Sequence, residues 1–241
     1  MKSLLGFNIY SRRLEEIDFS KNRIINTINP HSYCMTKKDP EFKNVLEKSD
    51  ILLPDGVGIV WASKVLNSTR IFKIAGFDLF QFLMKDLERK KGSCFFLGAS
   101  QATLDLIHTR AAKEYPNVKV YSYSPPYKPV FSKKDSEEMI QKVNKEKPDI
   151  LFVGMTAPKQ EKWSFQYKDE LEAKVICSIG AVFDFYAGTI KRSSPFWIKM
   201  GLEWLPRFLK EPKRLAERNL ISTPKFILEV LNYKLKKTHS V

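Results

Sequence analysis

Residues 149–163 read Asp-Ile-Leu-Phe-Val-Gly-Met-Thr-Ala-Pro-Lys-Gln-Glu-Lys-Trp. An unbroken apolar run closed by a glycine, then a proline and a helical pattern, is what a strand buried on both faces and followed by a helix requires. The unit recurs. Apolar strand candidates lie at Arg23–Thr27, Asp50–Leu53, Ser93–Leu97, Val118–Tyr123, Asp149–Val153 and Lys174–Ser178. Helical patterns fall around Asp39–Lys48, Gly58–Leu66, Asp78–Lys91, Ala102–Tyr115, Lys133–Glu146 and Lys159–Glu170. This alternation predicts an α/β fold, a Rossmann-like parallel sheet covered by helices on both faces.

Beyond Gly180 the pattern changes. Trp197, Gly201, Trp204, Leu205, Phe208 and Leu209 recur at helical spacing among Lys199, Arg207 and Lys210, and Pro212 and Pro224 open further helical stretches. Residues 1–192 are therefore expected to form the sheet domain, and residues 193–241 a basic, amphipathic, C-terminal helical appendage. The net charge of +14 is concentrated there: residues 191–241 hold twelve Lys and Arg against four Glu. Such a cationic segment calls for an anionic partner, whether nucleic acid, an anionic bilayer or a phosphorylated substrate. No apolar stretch reaches the roughly 18 residues of a spanning helix, and the N-terminal run is short for a signal peptide, so a cytoplasmic location is expected. Cys34, Cys94 and Cys177 lack the spacing of a zinc site or redox pair and read as buried thiols.

In open parallel sheets, ligands bind beyond the carboxyl ends of the strands. After the second strand stands Pro54-Asp55-Gly56-Val57-Gly58, where the glycines let the backbone turn and hold Asp55 at the crevice mouth. Asp55 suits a general base for a hydroxyl; equally, it suits a cap for the following helix. Gly98-Ala99-Ser100 opens a helix either as a phosphate-binding turn or as a plain one. After the fifth strand, Lys159 and Gln160 flank a Pro158-led helix start that could hold a phosphate or sugar hydroxyls, or be only a solvated start with Trp163 packed inward. In Gly180–Gly188 the lone acid, Asp184, reads as a substrate contact or as a structural group bonding nearby amides.

Taken together, PDGVG, then GMTAPKQEKW, then GAVFDFYAGTIKRSSPFWIKMGLEWLPRFLKEPKRLAER, with Thr27-Ile28-Asn29-Pro30 and Ala75-Gly76-Phe77-Asp78, resemble the bacterial WecG/TagA/CpsF glycosyltransferases over nearly the whole chain. The resemblance implies an inverting, metal-free transfer of N-acetylmannosamine or a related hexose from a UDP-sugar donor. The implied acceptor is a sugar on a polyprenyl diphosphate of undecaprenyl type, in teichoic acid, common antigen or capsule assembly. Carried over by residue, Asp55 matches the proposed base, Thr27 and Asn29 the lining of its pocket, and Gln160 a residue near the donor sugar. Arg207, Arg214 and Arg218 match a basic segment proposed to close over the site and hold the donor diphosphate. Two departures stand out: Lys73 occupies the place of a common Arg, and Met155-Thr156 replaces a glycine-rich loop. Without a metal, arginine forks must stabilise the departing diphosphate. No Asp-x-Asp pair of the metal-dependent kind stands at a strand end, and no cofactor is implied.

The aromatic and cationic appendage also suits an interfacial helix, placing the protein peripherally on the inner face of the cell membrane; alternatively, its aromatics pack back onto the sheet domain. A homo-oligomer is compatible with either. The rival class is a basic nucleic-acid- or membrane-binding module without catalysis, but no nucleic-acid-binding signature is present and no nucleic-acid partner is expected. An oxidoreductase on the same sheet would need a G-x-G-x-x-G after the first strand, which is missing.

Overall fold

Each apolar run becomes a strand, because side chains pointing alternately to two faces are apolar on both, and only a sheet covered on both sides buries them. The computed structural model describes residues 1–20 and 22–238, excepting the side chains of residues 195, 199, 210, 214, 237 and 238. An antiparallel hairpin of β1 (Lys2–Leu4) and β2 (Phe7–Ile9) precedes the sheet strands β3 (Arg23–Ile28), β4 (Ile51–Pro54), β5 (Ser93–Gly98), β6 (Lys119–Tyr123), β7 (Ile150–Gly154) and β8 (Val175–Ser178). The six lie in the order β4-β3-β8-β7-β5-β6, every neighbouring pair parallel. All six were expected from the sequence.

Two helices, α1 (Pro30–Thr36) and α2 (Pro40–Glu47), separate β3 from β4, and α3 (Val57–Asn67) and α4 (Gly76–Lys90) follow β4. Single helices then follow each strand: α5 (Gln101–Glu114), α6 (Lys133–Glu146), α7 (Lys159–Gln166) and α8 (Val182–Ala187). Four more close the described chain: α9 (Pro195–Lys199), α10 (Trp204–Lys210), α11 (Pro212–Ala216) and α12 (Thr223–Thr238), with a wider-wound turn at Glu217–Ser222 before α12. Local chemistry starts several of them. Asp39 accepts from Phe42 N–H at 2.9 Å, and Ser132 Oγ accepts from Asp135 N–H at 3.1 Å while Asp135 reaches back to Ser132 N–H at 2.8 Å. Each such cap contributes about 1 kcal/mol.

On one face of the sheet, α4, α5 and α8 pack Phe80, Ile107 and Phe183 against Phe96, Phe152 and Cys177; the rings of Phe80 and Phe152 lie 5.3 Å apart. On the other, α6 and α7 lay Met139, Val143 and Trp163 over Phe95, Leu151 and Ile176. A third cluster joins the hairpin, α1, α2 and α3 to the far C-terminal helix, whose Phe226 and Val230 are wholly buried in it. Tyr33 packs edge-on to Phe226 at 5.2 Å and donates to Glu229 at 2.9 Å, so α12 is part of the same core. The three cysteines are buried. Among the described residues no helix is long and apolar enough to cross a membrane.

Some expectations need correcting. The hairpin, α1 and α8 were not anticipated, and α7 ends at Gln166 instead of running to Glu170, where Glu170 and Leu171 N–H both turn back onto the Tyr167 carbonyl. Pro158 stands at the N-cap of α7, just outside its first turn.

Candidate active site

Parallel strands deliver all their carboxyl ends to one edge, and there the structure opens a cleft of about 1370 Å³. Residues from the ends of all six sheet strands line it, from Thr27 and Asp55 to Gly98, Ser124, Gly154 and Ser178. Its roof comes from the C-terminal segment through Glu203, Arg207, Arg218 and Phe226.

Asp55 follows β4 directly, its N–H bonded to the Ile28 carbonyl at 2.9 Å. The carboxyl does not cap α3: Gly56 is the N-cap, at φ 87°, and the helix start has no side-chain cap. Instead Asp55 is hydrogen-bonded by Asn29. Asn29 Oδ1 already accepts from His31 and Ser32 N–H at 3.0 Å each, which leaves its amide NH₂ for the carboxyl. Capping α1 therefore orients the group that holds Asp55. Burial pushes Asp55 above the usual carboxylate range; Arg218 and Lys73 pull it down and Glu203 pushes it up. Thr27, the penultimate residue of β3, is half-buried in the same wall.

A compact ion network lies beside it. Glu203 receives Lys73 at 3.1 Å on one oxygen and Arg192 at 3.3 Å on the other, and Arg192 also reaches Asp78 at 3.1 Å. Burial acts to raise Glu203, yet Lys73 and Arg192 hold its carboxyl below the ordinary value. The backbone joins in, with Ser193 Oγ donating to the Glu203 carbonyl at 2.6 Å. Glu203 immediately precedes α10, so this network sets where Arg207 stands, its guanidinium 4.8 Å from the centre of the Phe185 ring. Arg218 enters from the wide turn before α12, its charge acting on both Asp55 and His31. His31 Nδ1 shares a 2.9 Å hydrogen bond with Ser222, and burial, then Arg218, keep the imidazole below its usual pKa.

The opposite wall is built of loops. Gly98 has φ 122°, and a Cβ there would stand 2.3 Å from the Gly154 carbonyl oxygen, so only glycine lets β5 and β7 end side by side. Ser100 Oγ caps α5 by accepting from Thr103 N–H at 3.3 Å. Gln160 is buried and its Oε1 accepts from both Met155 and Gly180 N–H at 3.1 Å, so those amides are not open to a ligand. Asp184 is half-buried at the rim, within 3.4 Å of Thr189 Oγ1.

Ten of the eleven residues singled out from the sequence thus line one cleft: Thr27, Asn29, Asp55, Gly56, Lys73, Gly98, Gln160, Asp184, Arg207 and Arg218. The eleventh, Arg214, has its side chain outside the described residues. Sequence reasoning missed His31, Arg192, Glu161 and Glu203, which also line it. A signal for Glu203 existed: it is one of only four acids in the basic C-terminal segment. Among the described residues no three His, Cys, Asp or Glu side chains gather as a metal would require. The arrangement offers a carboxyl able to take a proton beside guanidinium groups able to receive developing negative charge.

The model of the family described as "Glycosyl transferase WecG/TagA/CpsF family" matches residues 7–240. The chain is similar to the N-acetylglucosaminyldiphosphoundecaprenol N-acetyl-beta-D-mannosaminyltransferase of Bacillus spizizenii, 32% identical over 90% of this chain and 82% of that one. The protein of the same name from Bacillus subtilis is 32% identical over 92% of this chain and 84% of its own. The Staphylococcus aureus counterpart is 26% identical over 90% and 83%.

Proposed function

This chain belongs to the WecG/TagA/CpsF family of glycosyl transferases, and we propose that it moves a hexose of N-acetylmannosamine type from a UDP-sugar to a sugar carried on undecaprenyl diphosphate, with inversion. The names of its relatives, which specify an N-acetylmannosaminyl group and an N-acetylglucosaminyl diphosphoundecaprenol, support the sugar and the acceptor. The observation that carries the chemistry is Asp55, a carboxyl raised by burial at the edge of a cleft and faced by the charges of Arg218 and Lys73.

In this reading the acceptor hydroxyl gives its proton to Asp55 as its oxygen attacks the anomeric carbon from the face opposite the leaving group. The bond from that carbon to the diphosphate oxygen breaks, and UDP departs with the electron pair. A base works best with a pKa near the working pH, which burial of Asp55 favours. Arg207 and Arg218, with Arg214 on the same segment, receive the developing charge in place of a metal, their planar forks matching phosphate oxygens. Lys73 supplies a further point charge. Thr27 and Asn29 frame the acceptor hydroxyl, while Gly56, Gly98 and Asp184 shape the remaining walls.

The acceptor's lipid requires the site to work at a bilayer. The stretch from Phe196 to Ile221 serves this, since Phe196, Met200, Leu209, Leu220 and Ile221 are all more than half exposed among the cations, whereas α12 beyond it is packed into the core. The deciding experiment offers purified protein UDP-N-acetylmannosamine, UDP-N-acetylmannosaminuronate, UDP-glucose and UDP-glucuronate with a short-chain lipid-diphosphate N-acetylglucosamine acceptor. Transfer is expected from the first, undiminished by EDTA. Transfer from none of the four, or a loss on chelation restored by added metal, overturns the reading.

A further inference from the structure

Glu161 has no part in the chemistry above, yet it is among the most deeply buried acids of the chain, at 4% exposure, on the first turn of α7 beneath the cleft. A charge there would be expensive unless paired. No cation meets it. The nearest on its own helix are committed elsewhere: Lys162 bonds Asp39 and Glu41 of the α2 region at 2.8 and 2.7 Å, and Lys159 donates to the Lys128 carbonyl at 2.7 Å. What acts on Glu161 is burial first, then hydrogen bonds from Gln160 and from its own N–H, and burial pushes its pKa up to about 7. From β3, β7, β8 and α2, the elements packed on α7, no charged group adds to these influences among the described residues.

Its hydrogen bond has a geometric consequence. Glu161 Oε1 accepts from Gln160 Nε2 at 2.8 Å, and this acceptor decides which way the Gln160 amide faces. With Nε2 turned to Glu161, Gln160 Oε1 points at two donors, the N–H groups of Met155 after β7 and Gly180 after β8. Flipped, the amide would set its NH₂ against those N–H groups, donor against donor. The loops are tightly joined there: a Cβ on Gly180 would lie 2.7 Å from the Met155 carbonyl oxygen.

We infer that Glu161 is a positioning residue for the transfer reaction, its carboxyl fixing the Gln160 amide in the orientation that ties the Met155 and Gly180 loops together along the cleft wall. The second oxygen, Oε2, is buried with no hydrogen-bond partner among the described residues, and it is through Gln160 that Glu161 acts. The neutral carboxyl performs this task at no electrostatic cost. Once ionised, it still accepts from Gln160 but sets an uncompensated negative charge under a cleft that must admit an anionic diphosphate. The kinetic part of this inference rests on the proposed sugar transfer; the loop geometry does not.

The test compares wild type with Glu161→Gln and Glu161→Ala. The Gln variant keeps an acceptor for Gln160 and cannot ionise; the Ala variant removes the acceptor. Amide hydrogen exchange at Met155 and Gly180 is expected to stay slow in wild type and Glu161→Gln and to accelerate in Glu161→Ala, whichever donor the enzyme takes. In the transfer assay, kcat/KM of Glu161→Ala should fall roughly 10-fold or more, as loosened positioning does. Wild-type activity should decline above about pH 7, and Glu161→Gln should abolish that decline while matching wild type below it. Unchanged exchange protection in a folded Glu161→Ala, or an alkaline decline of equal size in Glu161→Gln, overturns the inference. If Glu161→Ala does not fold, the alkaline profile of Glu161→Gln decides. A wild type inactive on every donor counts against the proposed transfer, and the exchange comparison at Met155 and Gly180 then decides the positioning role by itself.

Discussion

Lys73 and Glu203 meet at 3.1 Å across 130 residues of chain, joining the loop ahead of α4 to the residue that starts α10. Arg192 binds the other carboxyl oxygen, so Glu203 bridges two cations on the cleft wall. Replacing it by Gln removes both ion pairs, so that Lys73 loses this carboxylate and Arg192 keeps only its contact with Asp78 among those described. Glu203→Gln is expected to destabilise the protein by about 1–3 kcal/mol, the range for losing charged hydrogen bonds. It should also speed proteolysis of residues 193–210 and lower transfer. Because the folded pKa of Glu203 is depressed, its contribution is present above the ordinary glutamate pKa and lost as pH falls through the depressed value. Melting curves at pH 7 and pH 3 for both proteins check this: the gap should narrow at the lower pH.

Asp55→Asn keeps size and hydrogen bonding but cannot take a proton. Transfer should fall by about 10²–10⁴, the usual contribution of a general base, while UDP binding measured by calorimetry persists. Wild-type turnover by the Asn variant would refute the base assignment. Since burial raises Asp55, the acid limb of the wild-type kcat/KM profile should lie above the ordinary aspartate range.

Arg218 acts on that same limb. Its charge is the largest influence lowering Asp55, so Arg218→Ala should move the acid limb to higher pH as well as slow the reaction. The slowing is expected to be about 2–4 kcal/mol in barrier, taking the loss of an oxyanion donor as guide. Arg207→Ala should slow transfer without moving the limb. A pH–rate profile of each variant separates the two effects.

Phe226 is fully buried among the side chains of α1 and α3. Phe226→Ala should cost about 3–5 kcal/mol by cavity formation. Activity should suffer beyond the fraction unfolded, because the turn that carries Arg218 lies just ahead of α12. Thermal melts and transfer assays at a temperature where both proteins are folded check the two parts.

The sheet was legible because its strands are apolar on both faces, as in Leu151-Phe152-Val153, a pattern with few other solutions. The elements that escaped lack such a pattern. α1 follows an Asn-Pro pair with the mixed stretch His-Ser-Tyr-Cys-Met-Thr, and only the Asn29 cap betrays it. The hairpin strands are three residues each, and α8, bracketed by Gly180 and Gly188, is too short to show a period. In the cleft, residues at strand ends were visible because position in the sheet dictates them. Glu203 and Glu161 were not, since their significance depends on what meets them: Lys73 from a distant loop in one case, and no cation among the described residues in the other. Gln160 lines the cleft, but its Oε1 is taken by two loop amides and its Nε2 by Glu161, a fact of tertiary geometry that spacing does not encode.

The docking of α12 has a consequence for how the catalyst comes into being. Cys34 and Ser222 are in contact across 188 residues, and Tyr33 and Glu229 across 196. Joining segments so far apart in sequence costs loop-closure entropy, and the partners that α12 supplies to α1 and α3 are also the last of the described chain to be synthesised. The sheet and Asp55 can therefore be in place on a nascent polypeptide while the arginine side of the cleft is still unmade.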